Sequence, residues 1–421
     1  MRSPRRILFV QHASGLGGSA VSLRYLMASL AERGYELHVA LLHPTGDLGA
    51  LYAADGVAVH DLHQLPTFQH TTAGWATLRK PRTLAWAVSN HLRKSDGVSA
   101  LRRLVHSVNP DIVHLNSAVL SYAARALHAL GMPFVWHVRE SPVHGLFGIR
   151  TGLLAHDMKT LPDELIFISQ ADRTAWVHDE RGRVIYNCVP NRSLGEPKPA
   201  DAPTREGLGI PRDAFLICYV GGLAEIKGID VLLRALPAVF TRHAETFLLM
   251  TNAGAAPPAS PLSKAARWLA PRVGLPLPHQ RWEAQLSKPG FAERVRRLPF
   301  CLNIERYLSL ADVLVFPAIR PHFARPVIEA AAVGVPTIAS RLPGVTEIID
   351  DRATGLLCPA GDAAALAAAI EELCSRPAWA RDLGAAARQS IGDRFSITTH
   401  VDAVAAVYDD VARRRATPRN A

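Results

Sequence analysis

Four segments near the amino terminus decide the fold: Ile7-Leu-Phe-Val10, Gly15-Leu-Gly-Gly18, Ser19 to Arg33, and Glu36-Leu-His-Val-Ala-Leu-Leu42. The first is a short apolar run, as a strand buried on both faces requires. The second reads as a loop because glycine dominates it. In the third, Val21, Leu23, Leu26, Met27 and Leu30 fall on one side of a helix, and Gly34 supplies the stop. The fourth is another apolar run. Strand, glycine loop, helix, strand is the opening of a parallel, doubly wound α/β sheet.

Working outward, Asp111-Ile-Val-His-Leu115, Phe134-Val-Trp-His-Val138 and Glu164-Leu-Ile-Phe-Ile168 continue the strands, and Val184-Ile-Tyr186 is the last of this half. From Pro190 to Thr204 the composition turns to Pro, Asn, Ser, Gly and charge, which is linker chemistry. Phe215-Leu-Ile-Cys-Tyr-Val220 then restarts the pattern, with Gly221-Gly222 behind it and a helix over Asp230 to Phe240. Phe247 to Met250, Val313 to Phe316 and Pro336 to Ala339 follow as strands. The reading is two Rossmann-like domains, 1–195 and 196–395, facing across a cleft, with 396–421 closing the chain. Such sheets bind ligands at the carboxyl ends of their strands. Between Thr251 and Arg297, seven prolines interleave with Lys264, Arg267, Trp268, Arg272, Arg281 and Trp282. That stretch is either an excursion packed by its own tryptophans or a contact with an acceptor or membrane surface.

Composition narrows the function classes. Of 421 residues 48% are hydrophobic and 20% charged, which excludes a disordered chain. Five scattered cysteines, with no Cys-x-x-Cys pair, exclude a disulfide scaffold and argue against a zinc site. The formal net charge of +10 favours anionic partners, a nucleotide or an anionic membrane surface among them. No recognition helix or aromatic platform accompanies the charge, so no nucleic-acid partner is expected. The apolar run at Ile7 to Val10 is too short for a secretory leader, and no stretch is long enough to span a bilayer. The expected location is cytoplasmic, with peripheral attachment to the inner membrane surface as an option.

The residues that can carry chemistry sit behind the predicted strands. Gly15-Leu-Gly-Gly-Ser19 opens a helix and either brings backbone N–H groups up to a phosphate or is simply a tight turn. Ala20 in place of a third glycine, and no acid after Leu42, speak against a dinucleotide site. In Gly221-Gly-Leu-Ala-Glu-Ile-Lys-Gly228, Lys227 stands just before a helix, where it can neutralise a departing diphosphate or simply be an exposed lysine. Arg320-Pro-His-Phe-Ala-Arg-Pro-Val-Ile-Glu-Ala330 places Glu329 near the start of a small-residue helix, where a carboxylate can accept both hydroxyls of a ribose. Trp136-His-Val-Arg-Glu140 ends a strand. His137 and Glu140 are candidates for the acceptor side, and Arg139 either meets a phosphate or carboxylate or forms a structural ion pair. His114 and Asn116, at the end of another strand, face the same mouth or are merely hydrogen-bonded there.

Several motifs, taken together, resemble the retaining family 4 glycosyltransferases of GT-B fold. They are the Gly-Gly-Ser loop, Pro110-Asp-Ile-Val-His114, Ile185-Tyr-Asn187, Val220-Gly-Gly-Leu with Lys227-Gly228, Ala311 to Pro317, Phe323 to Ala330, and Thr354-Gly-Leu-Leu-Cys-Pro359. The resemblance implies transfer of a sugar from a nucleotide diphosphate, with UDP- or GDP-sugar as donor and no separate cofactor. The acceptor is a glycan or lipid-linked molecule. It further implies that Glu329 holds the donor ribose, Lys227 and Gly17-Gly18 the diphosphate, and Phe323-Ala324 the donor sugar, with Arg325 beside them. Arg139 stands about where many members carry a sugar-contacting histidine, and the family returns the C-terminal segment to the first domain.

Departures are equally visible. Pro321 occupies the place of the family's first glutamate, Ala324 that of a glycine, and Gly222 that of an arginine beside the diphosphate. The rival reading is therefore a GT-B scaffold that binds nucleotide sugar or a partner without turnover. No Asp-x-Asp pair occurs anywhere in the chain, so the expected transferase holds no metal through protein carboxylates.

Overall fold

In the computed structural model, the described residues are 5–13, 15–43, 46–68, 94–142, 148–189, 203–251, 278–321 and 323–416. Most of the Pro190–Thr204 linker, including the boundary at 195, lies outside them, as do 252–277 of the proline-rich stretch and His322. The chain divides into two compact units, Met1–Pro190 with Asp393–Ala421, and Asn191–Gly392.

The first unit is a seven-stranded sheet built from β1 (Arg6–Gln11), β2 (Glu36–Leu41), β3 (Ala58–Asp61), β4 (Ile112–Leu115), β5 (Phe134–Val138), β6 (Glu164–Phe167) and β7 (Arg183–Val184). The order is β3-β2-β1-β4-β5-β6-β7 and every pairing is parallel. Side chains alternate across the sheet. Leu8 and Val10 of β1 join one core layer with Leu101, Val105 and Leu127, whereas Ile7 and Phe9 join the other with Leu23, Leu26 and Leu30. That second layer also takes Val401, Val404, Val407, Tyr408 and Val411 of the helix Ile397–Ala416. The C-terminal helix thus belongs to the first unit.

The second unit repeats the plan with β8 (Phe215–Val220), β9 (Thr246–Thr251), β10 (Val295–Arg297), β11 (Val313–Phe316), β12 (Thr337–Ser340) and β13 (Leu356–Cys358), in the order β10-β9-β8-β11-β12-β13, again all parallel. Its helix Ile229–Arg242 buries Leu232, Leu236 and Val239, one apolar stripe at spacings of four and three. In each sheet the chain reverses its direction of strand addition once, between β1 and β4 and between β8 and β11. A parallel sheet opens a crevice for ligands at the carboxyl ends of the strands flanking such a reversal.

Candidate active site

The crevice of the second unit is walled by the loops that leave β8 and β11. Main-chain bonding ties the two loops together, the Ile319 N–H donating to the Ile226 carbonyl at 3.2 Å. Gly228 makes this approach possible. Its φ is +76°, and a Cβ there would lie 1.7 Å from the Pro317 carbonyl oxygen, so no other residue fits without displacing one of the loops. Lys227, one residue earlier, sets its ammonium 5.7 Å from the centre of the Phe316 ring at the end of β11. Desolvation lowers its pKa to about 8. A desolvated ammonium at the mouth of this crevice favours an anionic group beside it.

Behind β11, Phe323 and Ala324 are buried and lead into the helix Arg325–Ala332. Glu329, 5% exposed, faces inward on that helix and pairs with Arg325 one turn earlier, whose Nε donates to Oε1 at 2.7 Å. Arg325 and Glu329 thus form one unit: both ion-pair contacts fall on Oε1, and no described residue hydrogen-bonds Oε2. Glu305 stands close enough that Glu329 helps burial raise its pKa, with Arg325 opposing. Sequence reading missed Glu305, which no motif marks. Gly222 has φ +62° and its carbonyl accepts from the Tyr219 hydroxyl at 3.1 Å. The turn itself therefore uses the glycine, and no side chain stands there to act as the second cation. Pro321 is exposed.

In the first unit, Gly17 and Gly18 lie where the glycine loop enters the helix Gly18–Glu32. Neither has a positive φ, and a Cβ at either would meet nothing within 4 Å. Folding alone does not require glycine at either position.

The other strand ends gather a polar cluster. Arg139, just past β5, is 9% exposed and donates from Nε to Asn116 Oδ1 at 2.5 Å and from Nη1 to Asn187 Oδ1 at 2.7 Å. Burial lowers its pKa to about 10. His114 and His137 contribute differently from the expectation that they face the mouth. Both are fully buried, because their side chains turn into the core, where His114 Nδ1 meets the Tyr408 hydroxyl at 2.8 Å and His114 Nε2 meets His137 Nδ1 at 3.2 Å. Burial, with Arg139 next, holds both histidines well below the usual imidazole range, so they are neutral. Glu140 closes the loop after β4, accepting from Ser117 Oγ at 2.6 Å and the Ala118 N–H at 2.8 Å. His12 Nε2 lies 3.9 Å from the same carboxylate. Asn187, Tyr408 and His400 were given no role from the sequence, because only the folded chain brings residues near 187 and 400 to strands near 114 and 137. Among the described residues no group of histidines, cysteines and carboxylates is arranged to hold a metal ion, and no helix is long and apolar enough to cross a membrane.

Comparison with known proteins agrees with this architecture. Residues 17–185 match the model of the glycosyl transferase 4-like domain and residues 214–376 that of glycosyl transferases group 1. The D-inositol 3-phosphate glycosyltransferase of Streptomyces avermitilis is 32% identical over 235 residues, 54% of this chain and 47% of that protein. The chain thus spans about half the length of the first curated relatives it matches. Glycogen synthase of Mycobacterium tuberculosis is 25% identical over 96% of this chain and 94% of its own. Among solved structures, Anabaena HepE in complex with UDP and glucose superposes with a TM-score of 0.75 at 19% identity, covering 96% of this chain and 99% of its own. With two family models covering both units and this fold, the chain belongs to the family 4 glycosyltransferases of GT-B architecture.

Proposed function

We propose that the protein transfers a glycosyl group from a nucleotide diphosphate sugar, held by the second unit, to a hydroxyl of a glycan or lipid-linked acceptor, held by the first. The observation that carries this reading is Lys227: a desolvated ammonium at the β8/β11 crevice, on a loop locked to the neighbouring strand end by Gly228. Glu329 would take the ribose hydroxyls through its open oxygen, while Arg325 holds the carboxylate in place through the other. Backbone N–H groups at Gly17 and Gly18 would approach the diphosphate from the helix start.

The reaction breaks the bond from the anomeric carbon to the diphosphate oxygen and forms one to the acceptor oxygen. Following the retention that the family resemblance implies, the leaving phosphate oxygen takes the acceptor proton and attack occurs on the same face. Lys227 and helix N-termini neutralise the leaving group without a protein-held metal. The donor is a UDP- or GDP-sugar, and the +10 net charge supports work at an anionic membrane surface.

Pro321 and Gly222, each in place of an expected polar group, favour the second reading of a binding scaffold. A thermal-shift screen of nucleotide sugars followed by donor hydrolysis separates the two. Turnover supports the transferase, nucleotide binding without turnover in any acceptor mixture supports the scaffold, and an inverted product linkage removes retention.

A further inference from the structure

Arg139 is a buried cation with no ion pair among the described residues, although the charge of Glu140 acts on it through space. None of the described carboxylates pairs with its guanidinium, and its side-chain partners are two amide oxygens and one imidazole nitrogen. Glu140, next in the chain, bonds instead to Ser117, Ala118 and the main-chain N–H of Arg139. The imidazoles cannot compensate either. Arg139 Nη2 faces His137 Nδ1 at 3.4 Å and can only donate, so that nitrogen accepts and the His137 proton lies on Nε2. His114 then donates from Nε2 to His137 and accepts from the Tyr408 hydroxyl. His400 donates from Nδ1 to the Tyr186 carbonyl at 2.7 Å. His137 Nε2, the donor at the end of this chain, is buried and has no partner. Each of these side-chain partners of the guanidinium is thus a neutral group, and no ion pair among the described residues meets its charge at the carboxyl end of β5.

Burying an ion without a counter-ion is costly, and proteins keep such an arrangement where a ligand supplies the missing charge. Two other buried charges among the described residues are paired, Glu329 with Arg325 and Asp157 with Arg125. We infer that Arg139 receives an oxyanion of the acceptor, so that the acceptor is a phosphate- or carboxylate-bearing molecule rather than a neutral sugar. Asn116 and Asn187 hold the guanidinium plane, and His137, backed by His114 and Tyr408, acts as a positioning residue. The inference rests on the reading that the first unit takes the acceptor.

The test uses the full chain in the K227Q background, so that phosphate is not read at the donor crevice. Inorganic phosphate and acetate are titrated separately at ionic strength held constant with chloride, and saturable thermal stabilisation gives an affinity. The expected result is that K227Q responds to one of the two anions, which tells phosphate from carboxylate, and that adding R139Q weakens the response about ten-fold or more, as loss of a charge-assisted contact should. R139K, keeping the charge, restores part of it. If R139Q does not fold, N187A carries the test, with an expected weakening of roughly three-fold from losing one anchor. The inference is overturned if K227Q responds to neither anion, if R139Q leaves the response unchanged, or if R139Q abolishes UDP binding in otherwise native protein, which would move Arg139 to the donor. A native protein that turns over a nucleotide sugar yet shows no anion response fails this inference alone. One that binds no nucleotide fails the transferase reading, and the anion titration still stands on its own.

Discussion

The carboxyl ends of the two sheets solve the same electrostatic problem in different ways. At the second sheet the carboxylate is neutralised within the protein, Glu329 by Arg325 one helical turn away, and the cation, Lys227, is left desolvated on a loop that one glycine holds in place. At the first sheet a cation sits among amides and neutral imidazoles. A lysine answers burial by lowering its pKa to about 8, whereas an arginine, starting higher, stays charged even at about 10. One strand end is therefore tunable by pH in the working range and the other is a fixed charge.

The strongest way to break this comparison is K227A. If Lys227 stabilises the departing diphosphate, kcat/KM for donor turnover falls by about 10²- to 10³-fold, ~2.7–4 kcal/mol; a fall of less than about five-fold assigns the charge elsewhere. Next is G228A. A left-handed φ and the close Pro317 carbonyl together should cost ~2–4 kcal/mol of stability, read as a lower urea midpoint. G17A should behave oppositely, stable to within ~1 kcal/mol because its φ is ordinary and the space is open, yet weaker for the donor. An unchanged donor affinity would make that loop a plain turn.

A smaller effect sharpens the pH contrast. Lys227 is charged below its folded pKa of about 8, so donor affinity should hold below pH 8 and decline by up to about ten-fold per pH unit above it. Binding near pH 8 should take up a proton, visible as a buffer-dependent calorimetric enthalpy, and K227R should move the decline to higher pH. The mildest case is His400, whose pKa burial depresses to about 4. The unfolded chain binds this proton near pH 6.5 and the folded unit does not, so stability present at neutral pH is lost as pH falls from about 6.5 towards 4. H400N should flatten that part of the melting-temperature profile. An unchanged slope would trace acid sensitivity to His114 and His137 instead.

Much of the fold was legible because central parallel strands are buried on both faces and so read as apolar runs. β1, β5, β8 and β11 are found where the runs at Ile7, Phe134, Phe215 and Val313 place them. The strands that sequence reading missed, Ala58–Asp61, Val295–Arg297 and Leu356–Cys358, all lie at sheet edges. The first two are short and half exposed, and an edge need not be apolar throughout. Leu356–Cys358 was seen only as part of a motif.

The site divides along the same line. Lys227, Glu329 and Arg139 were identifiable as candidates because each occupies a definite place relative to a readable strand or helix, and that placement is written in local pattern. Whether a charge at such a place is paired was not. Arg325 reaches Glu329 through helical geometry that spacing allows but does not require, and Arg139 lacks a carboxylate only because Glu140 turns to the loop after β4. Likewise His114 and His137 turned inward because the C-terminal helix, nearly 300 residues on, brought Tyr408 to meet them. Alternation and glycine placement are short-range and travel with the chain. Charge compensation depends on which distant segments share a low-dielectric interior, and only folding settles that.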